Sequence, residues 1–146
     1  MKSPNKRSFY FSAVSFFLSS AAIWFMPLAS FEAEGLGALS YILAAVFWIF
    51  FALGFIFLRT VSNQRKKDKS YRNKSGIAFL RFFSNKPALI FDALLIAGVI
   101  TLSLTFIIRN LPGPLMLGGT FATVFSLEMH GLFNGRNYEW IVDKER

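Results

Sequence analysis

The feature that most constrains this chain is a set of four apolar stretches, each about as long as a membrane-spanning helix. The stretches cover residues 9–29, 39–58, 87–108 and 114–133. About 20 apolar residues in a helix are enough to cross a hydrocarbon core of about 30 Å. We therefore expect an all-α membrane protein whose residues 1–146 form a single integral membrane domain. The expected architecture is a four-transmembrane-helix antiparallel bundle.

The positive charges predict how the spans are oriented. The chain carries 16 Lys and Arg residues and a formal net charge of +8. Fifteen of the 16 fall in residues 1–8, 59–86 and 134–146, which four spans would place on one side, and Arg109 falls on the other. The positive-inside rule assigns the basic side to the cytoplasm. We expect a multi-pass protein of the cytoplasmic (plasma) membrane with cytoplasmic N- and C-termini.

The first apolar stretch also follows basic residues, as in a secretory signal peptide. It is longer than the usual apolar part of a signal peptide, and no clean small-x-small cleavage pattern follows it. We expect it to be retained as the first span.

The segment 59–86 forms the expected basic cytoplasmic loop. Its later part, residues 77–83, turns apolar again but is too short to span, which predicts a short interfacial helix before the third span. Basic residues next to apolar spans indicate an anionic inner leaflet as partner, and nucleic acid is not expected. The residues expected to contact anionic lipid are Arg65, Lys66, Lys67, Lys69, Arg72, Lys74, Arg81 and Lys86.

Small residues at helical spacing predict where the helices pack. Such stripes allow the backbones of two membrane helices to approach closely. The serine stripe in the first span is compatible with a packing seam or with a polar lining. The stripes are Ser8, Ser12, Ser15 and Ser19 in the first span, Ala38, Ala45 and Ala52 in the second, and Gly118, Ala122 and Ser126 in the fourth.

Three ionisable residues, Asp92, Glu128 and His130, lie at similar depth in the third and fourth spans and form the candidate functional polar layer. Ionisable groups inside a bilayer are costly and usually face protein or water. Helical phase places His130 and Glu128 on nearly opposite faces of the fourth span. If the third and fourth spans pack through their small faces, we expect Asp92 to pair with His130. Glu128 is then expected to reach Arg81, Lys86, Arg136 or a second subunit.

The layer has two interpretations. An Asp–His pair can titrate near neutral pH and act as a proton-responsive switch. It can equally serve as a structural polar clamp that fixes the register of two helices.

The composition excludes several kinds of chemistry. The chain has no cysteine and one histidine, so thiolate metal sites, disulfides and cysteine nucleophiles are absent. No phosphate-binding loop or HExxH motif is present. We expect no catalytic residues, no cofactor site and no metal site, and hence not an enzyme.

The remaining function classes are ranked from these observations. The first is a small multi-pass membrane protein acting by protein or lipid contacts, in an accessory, regulatory or self-protection role, with a membrane-protein partner or as a homodimer. The second is a small proton-responsive carrier or channel that uses Asp92, His130 and Glu128. A membrane enzyme acting on lipid substrates is a third possibility.

Overall fold

The computed structural model describes residues 5–30, 37–68, 71, 80–108 and 113–145, and these residues form helices and short connections without any strand. The expected all-α class is therefore confirmed for the described ranges. The helices in chain order are α1 (Lys6–Ser30), α2 (Ala38–Lys67), α3 (Lys86–Ile107), α4 (Gly113–Phe133) and α5 (Arg136–Asp143).

Three segments of the described chain are long and apolar enough to cross a membrane: Lys6–Phe25, Ala38–Lys67 and Lys86–Thr105. Membrane integration is thus supported by three helices. The fourth expected span corresponds to α4, which has 21 residues and is not among these three segments. Glu128, His130 and several Gly and Thr residues lower its hydropathy.

The four long helices pack as two hairpins joined along one edge. α1 packs along α2, α3 packs along α4, and contacts between α1 and α4 join the pairs. In the described residues α2 and α3 do not pack along their lengths, so the order is an open row, α2–α1–α4–α3. Only 6% of the apolar window of α2 is buried, against 44% for α1.

The serine stripe of α1 is a packing seam. Ser8, Ser12, Ser15 and Ser19 are all buried, and the Ser12 hydroxyl donates to the carbonyl oxygen of Gly54 in α2 at 2.8 Å. A methyl group on Gly54 would lie 2.6 Å from the ring of Phe16. The absence of a side chain at Gly54 therefore lets α1 and α2 approach closely.

The alanine stripe of α2 was expected to form a close contact, and this expectation is wrong within the described chain. Ala38, Ala45 and Ala52 are exposed. The buried residues of α2 are Ser40, Gly54 and Val61. Like the alanines they are separated by multiples of seven residues, but their series starts two positions later. Two positions on a helix rotate a side chain by about 200°, so the alanines face away from α1.

The α3–α4 hairpin is also held together by close backbone approach. A methyl group on Gly98 of α3 would lie 2.9 Å from the backbone nitrogen of Thr123 in α4. Gly119 makes the reciprocal contact, because a methyl group there would lie 2.9 Å from the Thr101 side chain. Of the predicted stripe in α4, Ser126 is buried, whereas Gly118 and Ala122 are only partly buried.

We use the term basic end for the end of the row where α1 and α3 begin and α2 and α4 end. There α5 covers the helix ends, with Trp140 and Ile141 in one hydrophobic cluster with Phe9, Met129 and Leu132. Because both residues are buried and the rest of α5 is mostly polar, α5 lies with one face against the bundle.

The expected interfacial helix over residues 77–83 is not found where the chain is described. Residues 77–79 lie outside the described ranges, and residues 80–85 form a connection with no α-helix. The described residues do include one short helix, α5, which lies in the segment 134–146, where no helix was expected.

Candidate functional site at the basic end

Asp92 is the centre of a buried polar cluster between α3 and α4. Its side chain has no solvent exposure. Oδ1 lies 2.6 Å from Nδ1 of His130, so the contact expected from helical phase is present. Oδ2 accepts a hydrogen bond from the backbone N–H of Phe83 at 2.6 Å, and the Asn134 amide donates to both oxygens at 3.1 and 3.2 Å.

The side chain of His130 contacts Asp92 directly, beside the amide of Asn134. Because a carboxylate only accepts hydrogen bonds, Nδ1 of His130 is assigned as the donor in this contact. The amide nitrogen of Asn134 is 3.1 Å from the same Nδ1. Both nitrogens are then donors to one carboxylate and are neighbours rather than partners. The ring of Phe82 lies against the imidazole, with 4.5 Å between ring centroids.

The cluster holds the connection that leads into α3. Phe83 has a positive φ of 56°, a conformation that non-glycine residues adopt at a cost of about 1–3 kcal/mol. Its N–H points at Asp92, and the hydroxyl of the next residue, Ser84, donates to Oδ1 of Asn134 at 2.5 Å. We call Phe83, Ser84, Asp92, His130 and Asn134 the Asp92 cluster.

Asn85 completes the junction between the connection, α3 and α4. Its Oδ1 accepts from the backbone N–H of Ala88 at 2.9 Å and so caps α3, with Pro87 in the first turn. Its Nδ2 donates to the carbonyl oxygen of Phe133 at 2.8 Å. The start of α3 is therefore fixed to the end of α4 by one side chain.

Glu128 does not join this cluster, and the expectation that it reaches Arg81, Lys86 or Arg136 is wrong. Its carboxylate faces α1, where it accepts hydrogen bonds from Ser19 at 3.1 Å and Ser20 at 2.7 Å. The three residues of the expected polar layer are thus divided. Asp92 and His130 lie between α3 and α4, and Glu128 lies between α1 and α4.

Helix α5 is tied to three other segments by polar contacts. Glu139 pairs with Arg81 at 2.5 Å, and Asn137 accepts from Nε of Arg65 at 3.0 Å. Asp68, at the end of α2, accepts from the Trp140 indole at 2.9 Å and pairs with Lys144 at 2.8 Å. An ion pair between Lys6 and Glu145 adds a contact with the start of α1.

The residues expected to contact anionic lipid divide into three groups. Arg65 and Arg81 turn toward α5 and bond there. Lys66, Lys67 and Lys86 are exposed. Lys69, Arg72 and Lys74 lie outside the described residues.

The parts of the cluster contributed by Asn134, Ser84 and the Phe83 backbone were not predicted from the sequence. Asn134 follows His130 by four positions, and that spacing places both side chains on one helix face. This was the available signal. Nothing in the residue type of Phe83 indicates a positive φ.

No protein-family model, curated protein or solved structure matches this chain in the three comparisons made. Among the described residues, no three His, Cys, Asp or Glu side chains are grouped so that they could hold a metal ion. What the geometry offers chemically is a close contact between Asp92 and His130, and a connection held in one conformation by bonds to Asp92 and Asn134.

Proposed function

We propose that this chain is a four-span protein of the plasma membrane, with both termini in the cytoplasm, that acts through contacts with protein or lipid in an accessory, regulatory or self-protection role. The observation that carries the proposal is the set of polar contacts that the protein makes within itself at the basic end. The residues of the Asp92 cluster bond among themselves, and α5 bonds separately to Arg81 and to Asp68 at the end of α2. Both sets of contacts hold the basic end in a defined shape. A surface of fixed shape is what recognition by contact requires.

The fourth span in this proposal is α4. It pairs with α3 at close backbone distance, and at 21 residues it reaches about 31 Å, which matches a bilayer core. A fourth crossing also returns the basic residues of the tail to the side that holds those of 59–86, in agreement with the positive-inside rule.

A role without catalysis is supported by the enclosure of the acid–base pair. Asp92 and His130 are 0% and 1% exposed, and each is bonded within the cluster. A substrate would have to displace residues 82–84 or part of α4 to touch either side chain.

Crosslinking in cells, followed by purification in a mild detergent and mass spectrometry, tests the proposal. Wild type is compared with Asn134→Ala, which loosens the cluster, and with Ser103→Ala, which removes an exposed hydroxyl bonded only to its own helix. We expect a stoichiometric partner or a homodimer with wild type and Ser103→Ala, and less of it with Asn134→Ala. Recovery of a lone monomer from all three would contradict a contact role.

A small proton-responsive carrier or channel is the second candidate, because an ionisable group lies between the two hairpins. Glu128 faces Ser19 and Ser20 at the α1–α4 contact, where relative movement of the hairpins would change its surroundings. Proton flux into liposomes containing the purified protein tests this candidate. Flux that is lost with Glu128→Gln and kept with Ser103→Ala would support it, and equal leakage from empty liposomes would dismiss it.

A further inference from the structure

A groove of about 360 Å³ runs along one face of α2 where that helix passes α5. Its α2 residues are at positions 55, 58, 59, 62, 63 and 66, and Asn137 contributes from the α5 side. Spacings of three and four residues keep side chains on one face of a helix. The groove is therefore continuous along about three turns.

The groove changes from apolar to basic along its length. One end is formed by Phe55 and Leu58, which belong to the apolar stretch that ends at residue 58. The other end carries Arg59 and Lys66, two turns apart, on the first polar turns after that stretch. In a membrane the first half lies at hydrocarbon depth and the second at headgroup depth.

The two cations of the groove are available to a ligand. Arg59 and Lys66 are both exposed and take part in none of the ion pairs among the described residues. Three acids at the basic end form ion pairs with cations outside the groove: Asp68 pairs with Lys144, Glu139 with Arg81 and Glu145 with Lys6.

Hydrogen-bond donors lie next to these cations. Ser62 and Asn63 line the groove between Arg59 and Lys66. The Oδ1 atom of Asn137 already accepts from Arg65, which leaves its amide N–H groups as the part of that side chain able to donate. Cations with neighbouring N–H and O–H donors are the groups that proteins use to bind phosphate.

We propose that this groove binds one anionic phospholipid, with the phosphate diester between Arg59 and Lys66 and an acyl chain along Phe55 and Leu58. The apolar half distinguishes a lipid from a free phosphate, because a soluble anion gains nothing from it. This inference rests on the membrane placement proposed above and is independent of whether a protein partner exists.

Native mass spectrometry of the full-length protein in detergent tests the proposal. Phosphatidylglycerol and phosphatidylcholine are added in parallel, and glycerol 3-phosphate serves as the soluble competitor. The test variant is Arg59→Gln with Lys66→Gln. The matched control is Lys67→Gln with Lys86→Gln, which removes the same charge from exposed positions outside the groove.

We expect wild type to retain one phosphatidylglycerol in preference to phosphatidylcholine. The groove variant should lose affinity about tenfold or more, since each basic residue near a lipid surface contributes about 1 kcal/mol. Lys67 and Lys86 lie outside the groove, and the lipid contact expected of them is with the surface of a bilayer, which is absent in detergent. The control should therefore retain this one lipid as wild type does, and glycerol 3-phosphate should not displace the lipid.

Equal loss in the groove variant and the control would show general charge attraction and overturn the site. Displacement by glycerol 3-phosphate would show a phosphate site without a lipid chain and would also overturn it. Thermal unfolding of both variants, matched to wild type, excludes misfolding as the cause. Crosslinking capture of a partner is measured separately, so failure of the lipid site leaves the contact role intact, and the reverse also holds.

Discussion

The carboxylate of Asp92 accepts a hydrogen bond at 2.6 Å from the backbone N–H of Phe83, nine residues earlier in the chain. The bond holds a residue with positive φ immediately before α3 begins. The same carboxylate binds His130 and Asn134 in α4. One buried acid therefore joins the entry to α3 and the end of α4.

Replacing Asp92 should destabilise the protein in a graded manner. Asp92→Ala leaves the donor of Phe83 and the buried donors of His130 and Asn134 without their acceptor, and each buried group so left costs about 1–3 kcal/mol. Asp92→Asn keeps one acceptor oxygen and should cost less. Thermal unfolding in detergent measures the order, with Ser103→Ala as control. Equal stability of all three variants would show that the cluster does not hold the fold.

Gly98→Ala should weaken the α3–α4 hairpin. The added methyl group would lie 2.9 Å from a backbone nitrogen of Thr123, so a helix must shift, and such overpacking costs about 1–3 kcal/mol. The matched control is Gly113→Ala, where nothing lies within 4 Å of the added group. Thermal unfolding should show a lower midpoint for Gly98→Ala and no loss for Gly113→Ala. The opposite order would mean that the two backbones are not this close.

Trp140→Phe should loosen α5 without unfolding the long helices. The substitution keeps an aromatic ring in the core but removes the indole N–H that donates to Asp68. A hydrogen bond to a charged group contributes about 1.5–3 kcal/mol, so amide exchange over residues 136–143 should speed up. Glu145→Gln breaks only the exposed pair with Lys6 and should change exchange little. Similar exchange in both variants would argue against the Asp68 contact.

Tyr71→Phe should be neutral at pH 7 and protective at high pH. The Tyr71 hydroxyl is buried and has no hydrogen-bond partner among the described residues, so its removal leaves none of them unsatisfied. Burial raises the pKa of Tyr71 above 10, and the nearby Glu139 and Asp143 raise it further.

The raised pKa of Tyr71 determines how the stability of the protein changes at alkaline pH. Because the folded protein holds the proton more tightly than the unfolded chain, the stability contributed by neutral Tyr71 is present below about pH 10 and is lost as the pH rises through the folded pKa. Wild type should therefore lose more stability than Tyr71→Phe between pH 9 and 11, taken as the roughly one-unit range around the ordinary tyrosine pKa. Parallel loss in both proteins would contradict the assignment.

Part of the site could be predicted from the sequence because the period of a long helix determines which of its side chains share a face. The separation of Glu128 from His130 required only the period of 3.6 residues per turn, and the pairing of Asp92 with His130 required in addition that the third and fourth spans pack through their small faces. The serine stripe was located for the same reason.

Other features could not be predicted from helical phase alone. Ala45 and Gly54 both lie in small-residue patterns of α2, and periodicity alone does not say which pattern faces α1. The position of Phe16 against Gly54 decides it. Glu128 was assigned to interfacial cations because the sequence did not show that α1 would lie against α4. Similarly, Trp140 gave no sign that its indole would bond to Asp68, 72 residues away.

The open row of helices also sets the order in which the protein can assemble. Each hairpin closes between neighbouring segments, and short loops carry a small entropic cost of closure. The α1–α2 hairpin is complete before α4 has been synthesised, whereas the bonds from Ser19 and Ser20 to Glu128 span 109 and 108 residues. We expect the two hairpins to form first, and the contact that unites them and the contacts of α5 to be made later.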